Sequence, residues 1–307
     1  MTIRVALHHR TSYQYDRLVA LSPQLIRLRP SLQTRNVIFD YSLTVQPETH
    51  SENWQQDPHG NFMLRCVFTE RVRQLTVQVD LSADMTPTNP FDFFIEPSAE
   101  SWPFDYEPWL ARDLRPYLEC EAVGFESSGP MLKEWLATVD RKKRHTVDFV
   151  IALNQRVQKE IKYLVRMEPG VQTPEETLTS LSGSCRDTGW LLVQILRNLG
   201  IAARFASGYL IQLVPDRPQP DPAVLHQDTG SLHAWAEVYL PGAGWIGLDT
   251  TSGMLTSEGH IPLACTPDPS TAAPITGSVA PCETTFDFAL NVNRLDAHDH
   301  QFGEHRQ

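Results

Sequence analysis

The chain has 307 residues, of which 41% are hydrophobic and 21% are charged, a length that predicts about two domains. Its 37 acidic and 26 basic residues give a net charge of −11, which argues against nucleic acid and anionic membranes as partners. No segment approaches the ~20 apolar residues of a membrane span. The first residues also lack the apolar stretch of a signal peptide, so we expect a cytoplasmic protein.

The cysteines argue against two kinds of site. They are odd in number and have no C-x-x-C spacing, which disfavours both a disulfide framework and a zinc site. The five are Cys66, Cys120, Cys185, Cys265 and Cys282.

Residues 1–95 are predicted to form an N-terminal β-rich domain. Short runs such as 36–45 and 75–81 alternate apolar and polar residues, and Gly, Pro, Asn and Asp separate them. Strands at hairpin spacing indicate an antiparallel sheet or sandwich.

An ordered linker and a helix are predicted over residues 96–140. The stretch 87–116 is rich in proline and aromatic residues and shows no clean period. Helices are predicted near 129–139 and 146–163, the second with a stripe at Phe149, Val157 and Ile161.

The segment Gly183-Ser184-Cys185-Arg186-Asp187 opens an apolar run that ends near Leu199. Ser184 and Asp187 have the spacing of a capping box, which predicts that a helix begins here. The N-terminal N–H groups and the helix dipole then favour a thiolate at Cys185 and can bind an oxyanion. The alternative is that Cys185 is a small core residue, as most free cysteines are. Arg186 and Asp187 are expected to cap and pair near the helix start.

Two strands are predicted downstream. Residues 232–240 alternate in polarity, and a Pro-Gly-Ala-Gly turn leads into 245–249. If Tyr239 pairs with Trp245, Asp249 lies opposite Trp235 and diagonal to His233 on the same face. A register shifted by one would move Asp249 to the other face. In the predicted register, a carboxylate can orient an imidazole, which can in turn serve a thiol.

These segments resemble the bacterial transglutaminase-like family, whose core is a papain-like fold with its nucleophile on a helix and its partners on later strands. The matching stretches are 183–187, 232–238 and 244–253, and 170–178 is also similar. Residues in the first hundred resemble the β-rich domain that precedes this core, among them Trp54, Asp57, His59, Gly60 and Asn61. Thr250 replaces the proline often found after the aspartate.

The resemblance implies an α+β fold, with an N-terminal antiparallel β domain before a papain-like, transglutaminase-like core. In that core, the helix bearing Cys185 packs on an antiparallel sheet bearing His233 and Asp249. The expected limits are 141–260 for the catalytic core and 261–307 for a C-terminal extension. Cys185 is then the nucleophile, His233 the base and acid, and Asp249 the orienting residue.

The predicted chemistry is acyl transfer on peptide or amide substrates through a thioester, by a protease or amidase or by a transglutaminase. The alternative is a catalytically inactive module that binds a peptide or a partner protein, although the presence of all three residue types favours the enzyme. The Cys185 N–H is one expected oxyanion donor, and Gln172 is a candidate for the second. Trp235 is either a wall of the acyl channel or a core aromatic residue.

Further expectations concern partners and flexible segments. No cofactor or metal is expected, because no calcium-binding loop of the animal enzymes is visible. The resemblance implies an ATP-dependent peptide ligase encoded nearby as a partner. The segment from Ile261 has little periodicity and is expected either to wrap back on the core or to lead toward such a partner. The polar segment 214–230 is predicted to be a flexible loop beside the active site, and Glu237 is expected to be solvated or salt-bridged.

Overall fold

The computed structural model describes residues 3–120, 129–214 and 227–295. Its N-terminal part consists of strands in which apolar residues alternate with polar ones, so that one face of each sheet is buried. In the first strand, for example, Val5, Leu7 and His9 are buried. The strands are β1 (Arg4–Val19), β2 (Gln24–Ile26), β3 (Ile38–Gln46), β4 (His50–Gln56), β5 (Phe62–Phe68) and β6 (Val72–Asp84).

The middle of the chain is largely helical, with short strands between the helices. The predicted proline-rich linker holds a 3-10 turn at Pro97–Ala99 and two short helices. The elements are β7 (Ser101–Trp102), α1 (Pro108–Asp113), α2 (Arg115–Leu118), α3 (Pro130–Ala137), β8 (Arg144–His145), α4 (Thr146–Glu160), β9 (Lys162–Tyr163), α5 (Pro174–Ser180), β10 (Ser182–Gly183) and α6 (Cys185–Asn198). The predicted helices near 129–139 and 146–163 correspond to α3 and α4.

Strands dominate the rest of the chain. A second 3-10 turn lies at Pro269–Ala272. The strands are β11 (Ala203–Gln212), β12 (Thr229–Leu240), β13 (Gly244–Asp249), β14 (Met254–Leu255), β15 (His260–Thr266), β16 (Ile275–Thr276) and β17 (Thr284–Leu295).

Three larger sheets organise these strands. The central one has the order β14-β13-β12-β11-β15, and its strands are all antiparallel to their neighbours. Two four-stranded sheets, β17-β1-β6-β3 and β16-β2-β5-β4, form the N-terminal region. The architecture is the α+β fold expected from the sequence, with a β-rich N-terminal region before a mixed core.

Residues 261–307, expected to form an extension, are divided among these sheets as far as the structure describes them. β15 is an edge strand of the central sheet, whereas β16 and β17 pair with β2 and β1. Up to Leu295, this segment is therefore part of the packed body, as the first of its two alternatives had it.

The helix α6 and the central sheet carry the largest hydrophobic cluster. Most of α6 is buried, and Trp190 on it is 1% exposed. Gly189 of α6 faces the backbone of Trp235 on β12, where a Cβ would be in ordinary van der Waals contact at 3.4 Å. The helix therefore packs directly on the strand at this position.

The N-terminal sheets pack on the central sheet. Their hydrophobic cluster extends to Tyr209 and Ile211 of β11 and to Ile261 and Leu263 of β15. Most of the predicted loop 214–230 lies outside the described residues. Among the helices that the structure describes, none is long and apolar enough to cross a membrane.

Candidate active site

Cys185 is the first residue of α6 and is half-buried. The preceding residue, Ser184, donates from its backbone N–H and from its hydroxyl to the Asp187 carboxylate, each at 2.8 Å. This contact fixes the helix start that the sequence predicts. The first N–H groups of a helix have no acceptor within it, so α6 presents its positive end beside the thiol.

Asp187 ties two further segments to this helix start. Its carboxylate accepts from the backbone N–H of Gln172 at 2.8 Å and from the guanidinium of Arg166 at 2.9 Å, and its side chain is fully buried. Burial would raise the pKa of Asp187, but the backbone N–H groups of Gln172 and Ser184 and the Arg166 guanidinium outweigh it and lower that pKa. The loop before the cysteine is thus held by a buried carboxylate.

The predicted strand register is present in the central sheet. Tyr239 pairs with Trp245, and the last paired position of β13 is Leu248 opposite Ala236. Asp249 follows directly and reaches the diagonal neighbour: the Nε2–H of His233 donates to its Oδ1 at 3.0 Å. Both side chains are at least nine-tenths buried.

The thiol of Cys185 lies close enough to the same imidazole to raise its pKa. Since Nε2 faces Asp249, Nδ1 is the nitrogen left for the thiol. Burial alone would lower the pKa of His233, but the hydrogen bonds to Asp249 and Cys185 and their charges outweigh it and raise that pKa to about 9. A protonated imidazole between a thiol and a carboxylate is therefore the favoured arrangement below that pH.

Asp249 has further partners that keep it ionised. Its Oδ1 accepts from the Thr251 N–H and its Oδ2 from the Ser252 hydroxyl, each at 2.9 Å. Burial would raise the pKa of Asp249, but hydrogen bonds, those from His233 first among them, hold it well below its usual range. The next residue, Thr250, forms a 2.7 Å hydroxyl hydrogen bond with Thr188 and so links this strand end to α6.

Gln172 lies beside the helix start. A Cβ on Gly183, two residues before the cysteine, would meet its Oε1 at 3.3 Å. That oxygen accepts from the Thr177 hydroxyl at 3.1 Å. The hydrogen bond to its oxygen orients the side-chain amide of Gln172, and Nε2 is the atom of this amide that can donate a hydrogen bond.

Of the two alternatives for Trp235, the structure shows the core aromatic residue and not a wall of the acyl channel. The residue is 1% exposed and packs with Ala206 and Cys265. Its indole N–H donates to Glu237 at 3.2 Å. Glu237 was expected to be solvated or salt-bridged, and the structure shows the salt bridge. Its buried carboxylate pairs with Arg204 at 2.6 Å.

His260 belongs to the same cluster and was not singled out from the sequence. Its Nε2 lies 3.5 Å from Oδ2 of Asp249. No motif marks it, because it lies on β15, which is separated from β12 by β11.

The ligand atoms of His233, Asp249 and His260 lie within 4.8 Å of one another, close enough for a divalent cation. Such an ion would have to displace the proton shared by His233 and Asp249. It would also need an unprotonated Nε2 on His260, whose Nδ1 accepts a hydrogen bond from the Ser257 N–H at 3.3 Å. That contact places the proton on Nε2, so the cluster is arranged for proton sharing.

Family models match both the N-terminal region and the core of this chain. The model of the bacterial transglutaminase-like N-terminal region matches residues 5–84, and the model of the transglutaminase-like superfamily matches 133–250. An uncharacterized protein of Mycobacterium tuberculosis is 27% identical over 290 residues, covering 91% of this chain and 88% of its own. An uncharacterized protein of Mycobacterium leprae is 29% identical over 308 residues, covering 95% of this chain and 99% of its own.

A solved structure shares the fold over nearly the whole chain. It is a protein from Cytophaga hutchinsonii described as a candidate cysteine protease, with a TM-score of 0.69 and 19% identity. The match covers 96% of this chain and 92% of that one. Together, the two matched regions and this fold show that the chain belongs to the transglutaminase-like superfamily, with a bacterial transglutaminase-like N-terminal region before its core.

Proposed function

We propose that this protein is an enzyme that transfers acyl groups from peptide or amide substrates through a thioester on Cys185. The observation that carries the proposal is the buried His233–Asp249 hydrogen bond together with the Cys185 thiol, which opens α6 near enough to His233 to raise its pKa. A thiol at a helix N-terminus, a nearby imidazole and a carboxylate behind that imidazole are the components of nucleophilic cysteine catalysis.

In the first half of the reaction, the Cys185 thiolate attacks the carbonyl carbon of the substrate and forms a carbon–sulfur bond. The carbonyl oxygen becomes an oxyanion. Protonated His233 then gives its Nδ1 proton to the leaving nitrogen as the carbon–nitrogen bond breaks. An amine departs, and the acyl group remains on sulfur as a thioester.

In the second half, His233 is neutral and takes a proton from the incoming nucleophile. Water as the nucleophile gives a carboxylic acid, and a primary amine gives a new amide. The thiolate leaves as the carbon–sulfur bond breaks, which restores the starting pair. Both outcomes share the acyl-enzyme and differ only in the acceptor that reaches it.

The oxyanion requires donors fixed before the reaction. The backbone N–H of Cys185 at the start of α6 is one candidate, and the Nε2 amide of Gln172 is the other. The contacts of the Gln172 side chain with Thr177 and of its backbone with Asp187 hold that residue beside the helix start. Two fixed donors on one side of the thiol are what an oxyanion site needs.

A binding module without catalytic activity is the second candidate. Nothing in the contacts of the triad favours it, since such a module has no need of an ionised, buried Asp249 behind an imidazole. The cytoplasmic location and the link to an ATP-dependent peptide ligase remain predictions from sequence.

The test is intact-protein mass spectrometry after incubation with a mixed peptide library and a primary amine. The expected result is a covalent acyl adduct on the wild-type protein and release of cleaved or amine-coupled peptides. Cys185→Ala should abolish both, whereas Cys120→Ala, a matched substitution at a half-buried thiol, should abolish neither. Equal product from wild type and Cys185→Ala would overturn the proposal.

A further inference from the structure

His260 opens β15 at a position that brings it to the triad across an intervening strand. Leu210 of β11 is its paired residue, and Gly208, two residues earlier, pairs with His233 on one side and with Pro262 on the other. Directly paired residues share a face of the sheet. His260, Gly208 and His233 therefore lie on one face, and the glycine between the two histidines leaves room above β11.

The space over Gly208 is filled by the indole of Trp235. A Cβ at Gly208 would collide with that ring and with the carbonyl oxygen of Ile261. The indole meets the imidazole of His260 edge to face, with ring centroids 5.2 Å apart at 83°. Because Trp235 is itself held by its bond to Glu237, the His260 ring is fixed on this side.

The hydrogen bonds of His260 determine where its proton lies. Nδ1 accepts from the backbone N–H of Ser257, as described above, so neutral His260 carries its proton on Nε2. Nε2 is buried and has no hydrogen-bond partner at normal distance, and Oδ2 of Asp249, 3.5 Å away, is the acceptor it faces. The side chain is 9% exposed.

We propose that His260 is a positioning residue whose Nε2–H faces the Asp249 carboxylate and keeps it turned toward His233. The proposal rests on the proposed function, since positioning Asp249 matters only if His233 acts on Cys185. Oδ1 accepts from His233 and Thr251, while Oδ2 accepts from Ser252 and faces His260.

The surroundings of this contact explain what removal of the imidazole would do. A cavity of about 470 Å³ is bordered by His260 and Asp249. Its other charged lining residues are Glu258 and Arg294, and Arg294 is paired with Asp228. The titratable groups that face His260 are thus Asp249, His233 and Glu258. Without the imidazole, water from the cavity can reach Asp249 and compete with His233 for its oxygens.

The first test is the tautomer of His260. Nitrogen-15 NMR of the histidine-labelled protein distinguishes the two ring nitrogens, and the spectrum of His260→Gln identifies the His260 signals. The expected result is a proton on Nε2 and none on Nδ1, which accepts from Ser257. Protonation at Nδ1 alone would overturn the proposal.

The second test compares two variants. His260→Leu keeps volume but has no donor, whereas His260→Gln places an amide N–H near the former Nε2. For His260→Leu we expect about a tenfold loss of kcat with little change in KM, and a matching loss in the rate of Cys185 alkylation by iodoacetamide. His260→Gln should recover most of both. His145→Ala, at an exposed histidine outside the site, is the control.

Alkylation needs no substrate, so it separates this proposal from the proposed function. If no peptide is turned over but His260→Leu slows alkylation and His260→Gln restores it, the proposed reaction fails and the role of His260 stands. Equal alkylation in wild type and His260→Leu would overturn the role of His260. Equal losses in both variants, matched by equal losses in Tm, would show that His260 only supports packing.

Discussion

Asn61 and Cys265 join the N-terminal region to the central sheet by two reciprocal hydrogen bonds. The Asn61 side-chain amide donates to the Cys265 carbonyl at 3.0 Å, and the Cys265 N–H donates to its Oδ1 at 2.8 Å. Asp57 orients the same amide at 2.8 Å. The Asp-x-His-Gly-Asn segment that resembles the family is thus the turn that attaches the N-terminal region to the central sheet. It contacts β15, the strand that also carries His260.

Replacing Asn61 by Ala should therefore destabilise the fold without changing the chemistry. Asn61 is 2% exposed, and its loss leaves the buried N–H and carbonyl of Cys265 unpaired, at a cost of about 2–3 kcal/mol in the free energy of unfolding. Urea unfolding measures this, with the exposed Asn53→Ala as control. An unchanged unfolding midpoint, or loss of Cys185 alkylation in the folded variant, would contradict the assignment.

Cys185 should be the most reactive thiol of the chain. Cys66 and Cys265 are at most 1% exposed, and burial raises the pKa of Cys66 to about 12. Cys120 and Cys282 are half-buried like Cys185 but lie outside the helices. With iodoacetamide at about pH 6, we expect Cys185 to label at least about tenfold faster than those two. Peptide mapping by mass spectrometry gives the rates, and similar rates at all three would count against an activated thiol.

The raised pKa of His233 predicts a loss of stability and of activity on the alkaline side. The pKa of His233 is 6.5 in the unfolded reference and about 9 in the folded protein. A raised pKa means that the folded state binds the proton more tightly. The contribution of protonated His233 to the stability of the fold is complete below pH 6.5 and disappears as the pH rises through about 9.

The measurement is the Tm of wild type minus that of His233→Gln as a function of pH. This difference should shrink across the window from 6.5 to about 9, and kcat should fall over its upper part because the acid that protonates the leaving amine is lost. His145→Gln serves as the control. A Tm difference independent of pH would exclude a protonated His233 in the folded state.

The contribution of Asp187 to stability should have the opposite pH dependence from that of His233. Its pKa is lowered in the folded state, so its contribution to stability is present above its unfolded value and is lost as the pH falls. Asp187→Asn leaves the Arg166 guanidinium without its buried partner, which should cost about 3 kcal/mol of unfolding free energy near neutral pH. Asp148→Asn, at a carboxylate that is 81% exposed, should cost almost nothing in the same denaturation experiment. Equal effects would show that the helix start does not depend on Asp187.

The part of this site that could be predicted is the part encoded by local patterns. The capping residues mark the start of α6, and the hairpin register follows from alternation and turn length, so His233 and Asp249 could be paired in advance. The contact of His260 with Asp249 depends on strand order and on space above Gly208, which no local pattern encodes. The two alternatives for Trp235, channel wall or core residue, stayed open for a related reason: strand alternation shows which face a residue is on but not that other segments cover that face.

Gln172 gives the sharpest test of the chemical step. Gln172→Met removes the amide donor while nearly keeping the length of the side chain. If that amide stabilises the oxyanion, kcat should fall by about a hundredfold. Alkylation of Cys185 by iodoacetamide passes through no oxyanion, so its rate should change little.

Thr177→Val removes only the hydroxyl that donates to Oε1 of Gln172, and we expect a smaller loss of kcat because the amide is still present but less well oriented. Steady-state kinetics and alkylation rates on the same three proteins decide it: an unchanged kcat in Gln172→Met would assign the second oxyanion donor elsewhere, and a parallel loss of alkylation would show that Gln172 only supports the helix start.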